Sequence, residues 1–314
     1  MLCGRYPAFS LVAAPSADDA QQGLARVKLA DLYAQSGLTL SVEFFPPKTD
    51  KGEESLFQEI ETIKNLKPAF CSVTYGAGGS TREKTVELVE RIHRECGLEV
   101  MCHLTVVGQS KEEARSILRK LKEKGIENLL ALGGDPPQGM SDWKPHPDGY
   151  HHAVELVREA VALGGFSIAV AGFPEVHPRA ESRESDLRHL KEKVEAGAAA
   201  VITQLFFDNE DYYRFVEDVR KLGVTVPIVP GVLPILSVPQ VRRFTALCRA
   251  KIPANLERKL AAVENDDETA VALGIEYATR QCEELMRFGV PGLHFYSLNK
   301  ARSLKAICKN LGLH

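Results

Sequence analysis

Residues 199–232 read AAVITQLFFDNEDYYRFVEDVRKLGVTVPIVPGV. The stretch opens on an apolar run, Ala199–Phe206, and passes into a charged segment, Asn209–Leu222, whose apolar residues fall three or four apart. It stops at Gly223 and resumes an apolar run at Val226–Val232. Short apolar runs bounded by turn residues suit strands buried on both faces, and the longer spacing suits a helix with one buried face. Strand, helix and strand in so few residues make a βαβ unit, and therefore two parallel strands.

Working outward, the unit repeats. Apolar runs recur at Thr39–Phe44, Ala69–Tyr75, Leu98–Val106, Asn128–Leu132, Phe166–Phe173 and Leu293–Leu298. Amphipathic stretches lie between them at Ser55–Asn65, Thr81–Cys96, Lys111–Lys124, Tyr150–Leu163 and Glu184–Ala196, several ending in a glycine stop such as Gly97, Gly125 or Gly197. Eight runs with no dinucleotide-binding fingerprint predict an α/β fold, a single eight-stranded (β/α)8 barrel, over an open doubly wound sheet. Ser237 to Phe288 is too long for one helix. It predicts extra helices before the last strand, one near Pro253–Val263 and a long one near Glu268–Phe288. Residues 1–25, with Pro7, Pro15, Ser16 and Gly23 and no sustained periodicity, read as a tail or arm, and residues 26–314 as one barrel domain.

Composition narrows the function classes. The 314 residues are 44% hydrophobic and 26% charged with a net charge of −3, which gives no bulk attraction to nucleic acid or an acidic membrane. No apolar run approaches the ~18 residues of a membrane span, and Ala8–Ala14 lacks the charged leader of a signal peptide, so a cytoplasmic protein is expected. The seven cysteines (Cys3, Cys71, Cys96, Cys102, Cys248, Cys282, Cys308) form no Cys-x-x-Cys pair and read as free thiols.

In such barrels chemistry sits at the C-terminal strand ends. Those ends carry Glu43 before Phe44-Phe45-Pro46-Pro47, Thr74-Tyr75 before Gly76-Ala77-Gly78-Gly79-Ser80, then His103 and Thr105, and Gly133-Gly134-Asp135-Pro136-Pro137. Next come Phe173-Pro174-Glu175-Val176-His177-Pro178, Thr203-Gln204, Pro230-Gly231, and Tyr296 with Asn299. Two carboxylates, an imidazole, an amide and a phenol converge on one mouth, a set that a packed core would have to satisfy group by group. An acid inside Ser41-Val42-Glu43-Phe44 reads as functional before structural. The histidines His103, His177 and His294 with Asp135 match no metal-ligand spacing, so no metal is expected. No Ser/His/Asp or Cys/His arrangement is legible.

Taken together, these strand ends resemble those of the methylenetetrahydrofolate reductase family. The segments are Val42–Lys48, Ser72–Ala77, His103–Thr105, Gly134–Pro136, Pro174–Pro178, Ile202–Asp208, Ile228–Pro234 and His294–Asn299, in family order. The resemblance implies a cytoplasmic barrel of the bacterial, catalytic-domain-only type that binds FAD tightly but non-covalently, takes hydride from NADH or NADPH, and reduces 5,10-methylenetetrahydrofolate to 5-methyltetrahydrofolate. Its partners would be these small molecules, with no nucleic acid and no membrane, in a homo-oligomer. By position, Glu43 would be the general acid that helps the methylene bridge open, and Asp135 would favour the resulting cation and tune the flavin. Thr74, His103, Gly134, Asp135, His152, Ala153, Phe173, His177, Asp186 and Lys193 match cofactor-binding positions. Glu43, Gln204, Phe244, Tyr296 and Lys300 match substrate-binding ones.

Four positions depart from the family pattern. Phe173 replaces a tyrosine found in some relatives, His152 stands where a tyrosine is usual, and Lys300 where an arginine commonly follows. Gly133 stands where the family often has an arginine facing the FAD diphosphate. The missing cation at 133 has to be offset, and the sequence offers Lys193 or the His151-His152 pair. Three rival readings remain beside the main one. The chain could perform the same reaction as a subunit fed by ferredoxin or another flavoprotein, or it could be a folate- or flavin-binding barrel without turnover. The third is an unrelated barrel hydrolase, which predicts a colourless protein.

Overall fold

The computed structural model describes residues 10–12, 27–75, 79–135 and 144–313, without the side chains of 79–81. Nine parallel strand segments form one sheet: β1 (Thr39–Phe44), β2 (Phe70–Val73), β3 (Val100–Thr105), β4 (Asn128–Leu132), β5 (Ser167–Gly172), β6 (Ala200–Thr203), β7 (Ile228–Val229), β8 (Gly231–Val232) and β9 (Gly292–Tyr296). Their order is β7-β6-β5-β4-β3-β2-β1-β9-β8. The two ends of that order, β7 and β8, are one strand broken at Pro230. Proline has no N–H to give to a ladder, but the Pro230 carbonyl accepts the His294 N–H at 3.0 Å. The seventh strand thus pairs with β6 through its first half and with β9 through its second, which closes an eight-stranded barrel.

Helices alternate with the strands: α1 (Leu29–Ala34), α2 (Asp50–Lys64), α3 (Gly79–Cys96), α4 (Lys111–Glu123), α5 (Ala153–Leu163), α6 (Arg183–Glu195) and α7 (Asn209–Lys221). After β8 come α8 (Val238–Cys248), α9 (Ala254–Ala261) and α10 (Asp267–Phe288), and α11 (Ala301–Asn310) follows β9. The region before the last strand therefore holds three helices where the sequence predicted two. The signal for α8 was present: Ser237 caps it by accepting the Gln240 N–H, and Pro239 lies in its first turn. Helix α2 begins five residues before the predicted Ser55, because Thr49 caps it by accepting from the Gly52 N–H.

Alternation along the strands separates two cores. Leu40, Val42 and Phe44 of β1 pack outward with residues of the surrounding helices such as Ile60, Leu118 and Leu304. Phe70, Met101, Leu130, Ala169, Ile202 and Val229 fill the barrel interior, joined by Leu29 and Leu32 of α1. Helix α1 closes the N-terminal end of the barrel, its Leu29 N–H donating to Asn128 Oδ1 at 3.0 Å and its Ala30 N–H to Ser167 Oγ at 3.3 Å. Ser10–Val12, within the predicted arm, pairs with Leu38 at the same end, and Val12 enters the interior cluster. A third apolar cluster joins α8, α9 and α10 to the ends of β6 and β9 through Leu205, Phe207, Leu233 and Val241, with Phe244 and Tyr296 packed against it.

Candidate active site

Barrel alternation aims Ser41 and Glu43 of β1 inward, and parallel register sets Ser41 beside His294 and Glu43 beside Tyr296. The Glu43 carboxyl is 7% exposed. Its Oε2 lies 3.5 Å from His103 Nε2 and 3.6 Å from His294 Nε2. His294 is held from its other side by a 2.8 Å hydrogen bond between Nδ1 and Ser41 Oγ, and its ring meets Tyr296 edge-on at 5.5 Å. Burial pushes the His103 imidazole down to about 4, against the opposing pull of Glu43, so it is neutral at physiological pH. An acid flanked by one neutral and one fully buried imidazole, in a barrel mouth, is placed to exchange a proton with a bound molecule.

Two residues fix the Glu43 backbone from the far end of the chain. Ser297 Oγ donates to the Glu43 carbonyl at 2.6 Å. The Asn299 side chain accepts the Phe45 N–H at 2.9 Å and donates to the Phe45 carbonyl at 2.8 Å. The Tyr296 hydroxyl donates to the Thr203 carbonyl at 2.6 Å, and Gly231 has to be glycine beneath it, since a Cβ there would lie 2.3 Å from that same carbonyl and 2.7 Å from the Tyr296 ring.

A second group gathers at the ends of β4 and β5. Phe173 meets the His177 ring edge-on at 4.4 Å. Asp186 accepts the His177 N–H at 2.9 Å, and His177 Nδ1 accepts the Arg179 N–H at 3.0 Å, which leaves the proton of the neutral ring on Nε2. Burial lowers the His177 pKa, with Asp186 opposing. Lys193 Nζ donates to the Ala171 carbonyl at 2.9 Å, and burial brings its ammonium down to about 8. Gly134 adopts φ +76° with Val107 and Thr105 side-chain atoms 2.7 and 2.9 Å from where a Cβ would sit, so the chain turns there with no room for a side chain. Asp135 follows with its side chain 95% exposed. Phe173 and Gln204 line a small, shallow cleft with Glu175, Leu205 and Cys248.

The structure thus brings Glu43, His103 and Tyr296 together, and Gly134, Asp135, Phe173, His177, Asp186 and Lys193 together. Thr74 lies just beyond β2, its N–H donating to the Phe44 carbonyl at 3.0 Å. His152 and Ala153 begin α5, where Glu155 accepts the N–H groups of His151 and His152. Lys300, which takes the N-cap position of α11 just beyond β9, is 56% exposed and 3.5 Å from Glu59. Gly76–Gly78 and Pro136–Pro137 lie outside the described residues. The sequence assigned no role to Ser297 or Arg179, whose partners at Glu43 and Gly134 lie 254 and 45 positions away along the chain.

A family model described as methylenetetrahydrofolate reductase matches residues 28–312. The chain belongs to the methylenetetrahydrofolate reductase family. It is 40% identical over 285 residues to 5,10-methylenetetrahydrofolate reductase of Pectobacterium carotovorum, covering 91% of this chain and 93% of that one. It is 39% identical to the Escherichia coli protein of the same name, covering 91% and 94%. To methylenetetrahydrofolate reductase (NADH) 1 of Arabidopsis thaliana it is 39% identical over 297 residues, 91% of this chain but 50% of that one, so the chain spans about half the length of the plant relatives. A solved structure from Clostridium thermocellum, titled an uncharacterized protein that binds two copies of 5-methyl-5,6,7,8-tetrahydrofolic acid, has the same fold, with TM-score 0.62 and 16% identity over 87% of this chain and 94% of that one. Among the described residues of this family member no helix is long and apolar enough to cross a membrane, and no group of three metal-ligating side chains converges.

Proposed function

We propose that the protein reduces 5,10-methylenetetrahydrofolate to 5-methyltetrahydrofolate at the expense of NADH or NADPH, with FAD bound in the barrel mouth. The observation that carries this reading is the buried Glu43 carboxyl between two imidazoles, in a chain that matches the reductase family from end to end of its barrel. The site residues fit a flavin dinucleotide. Among the described residues His103 Nε2 and Thr105 Oγ1 are buried at the mouth with no hydrogen-bond partner, the Gly134 turn has no room for a Cβ, and the Arg179 guanidinium reaches over it. Thr74, His103, Gly134, Asp135, His152, Ala153, Phe173, His177, Asp186 and Lys193 would hold it. FAD supplies the two-electron relay between nicotinamide and the one-carbon unit.

The chain's own work is binding and proton handling. Glu43 gives its proton to a nitrogen of the methylene bridge, which opens the ring to an iminium, and neutral His103 does not compete as a positive charge beside that cation. Asp135 stabilises the same cation through its carboxylate. Gln204, Phe244, Tyr296 and Lys300 bind the folate. The purified protein is expected to be yellow and to bleach under NADH or NADPH without oxygen. Glu43→Gln should keep that bleaching and lose methylenetetrahydrofolate-dependent reoxidation by about 100-fold or more, since only the second half-reaction needs the acid. Equal losses in both halves, or a protein that takes up no FAD, would refute the reading.

A further inference from the structure

Arg179 lies on the loop after β5 and reaches back across the barrel mouth to the end of β4. Its Nη2 donates to the Gly134 carbonyl at 2.7 Å and stands 3.9 Å from Asp135 Oδ1. Among the described residues, a Cβ built on Gly133 would meet a single atom within 4 Å, and that atom is the same Arg179 Nη2, at 3.9 Å. The guanidinium therefore overlies the Gly133-Gly134 turn in the space that a longer side chain at 133 would enter. Sequence reading looked to Lys193 or the His151-His152 pair for this charge. Lys193 Nζ is buried and turned to the Ala171 carbonyl, and His151 and His152 stand at the start of α5, their backbone N–H groups given to Glu155, whereas the Arg179 guanidinium lies directly at Gly133.

The loop that carries Arg179 is fixed on both sides. The Arg179 N–H donates to His177 Nδ1, and Arg249 at the end of α8 donates to the Pro178 carbonyl at 3.0 Å. The head group itself is open. It is 48% exposed, its one acidic neighbour Asp135 is 95% exposed and barely within ion-pair range, and among the described residues its remaining N–H groups have no partner. A planar guanidinium anchored through one nitrogen with its other donors free is built for a bidentate contact to phosphoryl oxygens.

We propose that Arg179 is a cofactor-binding residue: it supplies from the β5 loop the cation that this chain lacks at Gly133, and it takes the diphosphate of the dinucleotide. This rests on the FAD reading above. The backbone at Gly133 does not demand glycine: no positive φ is found there, and among the described residues the one atom near its Cβ position is Arg179 Nη2, at an ordinary van der Waals distance, so a side chain has room.

The test is titration of the flavin-stripped full chain with FAD and with riboflavin, which has no phosphate, following flavin fluorescence and the melting temperature. Arg179→Gln should raise the FAD Kd about tenfold or more, leave the riboflavin Kd within about twofold, and melt with wild-type flavin-free protein. Adding Gly133→Arg to Arg179→Gln should recover most of the lost FAD affinity by bringing the charge in from the other strand. Unchanged FAD affinity in Arg179→Gln, or an equal loss for FAD and riboflavin that Gly133→Arg does not rescue, overturns the assignment. Wild-type protein that binds no FAD overturns the cofactor reading itself, and is told apart from the other outcomes by the wild-type titration alone.

Discussion

His103 shows how a single side chain was readable and its setting was not. Its place at the end of β3 marked it as a mouth residue, but the two groups that define its chemistry, Glu43 and His294, come from strands 60 and 191 positions away in sequence. The same holds for Ser297 and Asn299, whose bonds to Glu43 and Phe45 span 254 residues. Residue types at strand ends follow from local pattern, whereas the partners follow from barrel closure, which no local pattern encodes. The burial of His103 has a consequence for stability. Its pKa is about 4 folded and near 6.5 when exposed, so between those values the unfolded chain binds the proton first. The contribution of neutral His103 is complete above pH 6.5 and is lost as pH falls through 4, by up to about 3 kcal/mol for a shift of this size. Urea titrations at several pH values should show the wild-type protein losing stability relative to His103→Gln across this window. Parallel curves for the two proteins would mean that His103 is solvated.

Strands and outer helices were legible because each carries its own period. The runs that matched best, Thr39–Phe44 and Asn128–Leu132, are β1 and β4 as the sequence reads them. Helices α1 and α8 escaped the pattern for different reasons. Helix α8 carried start signals in Ser237 and Pro239 but was not separated from the long segment before the last strand, and α1 has only six residues, too few for a period. What makes α1 helical is the barrel floor beneath it. Asn128, fully buried at the start of β4, accepts the Leu29 N–H, donates to the Val27 carbonyl at 2.8 Å, and donates to Glu99 at 2.8 Å. Burial raises the pKa of Glu99, opposed first by His93 and then by this amide. Asn128→Leu removes all three bonds and leaves buried polar groups on both elements without partners. The variant should lose about 3 kcal/mol by urea denaturation, with α1 amides exchanging faster than those of β4. A loss below about 0.5 kcal/mol would show that α1 is held by Leu29 and Leu32 alone.

For the whole molecule, the count of eight runs implied closure, but where the ring closes was not legible, because it depends on one proline carbonyl and a strand split across two neighbours. Closure has a measurable result in the cysteines of the layer between the sheet and its helices. Cys71 and Cys102 point from β2 and β3 into the layer between sheet and helices, and Cys282 and Cys308 lie on α10 and α11, all of them fully buried. Burial pushes the Cys102 and Cys308 thiols up to about 12 and raises Cys71 and Cys282 as well. A thiol this far above its usual value is almost wholly protonated at pH 8, and reagents attack the thiolate. A barrel has no edge strand to fray, so reaching these four sulfurs requires the sheet to open as a unit. In the native protein they should therefore react with a thiol reagent at one common rate, that of global unfolding, and this rate should rise together for all four with added urea. The half-buried Cys248, at the cleft beside Gln204, should react ahead of them. Labelling time courses resolved by peptide mass spectrometry decide it: rapid native labelling of Cys71 or Cys102 ahead of Cys282 and Cys308 would mean that β2 and β3 open independently of the α10–α11 side, and that the barrel does not unfold as one closed sheet.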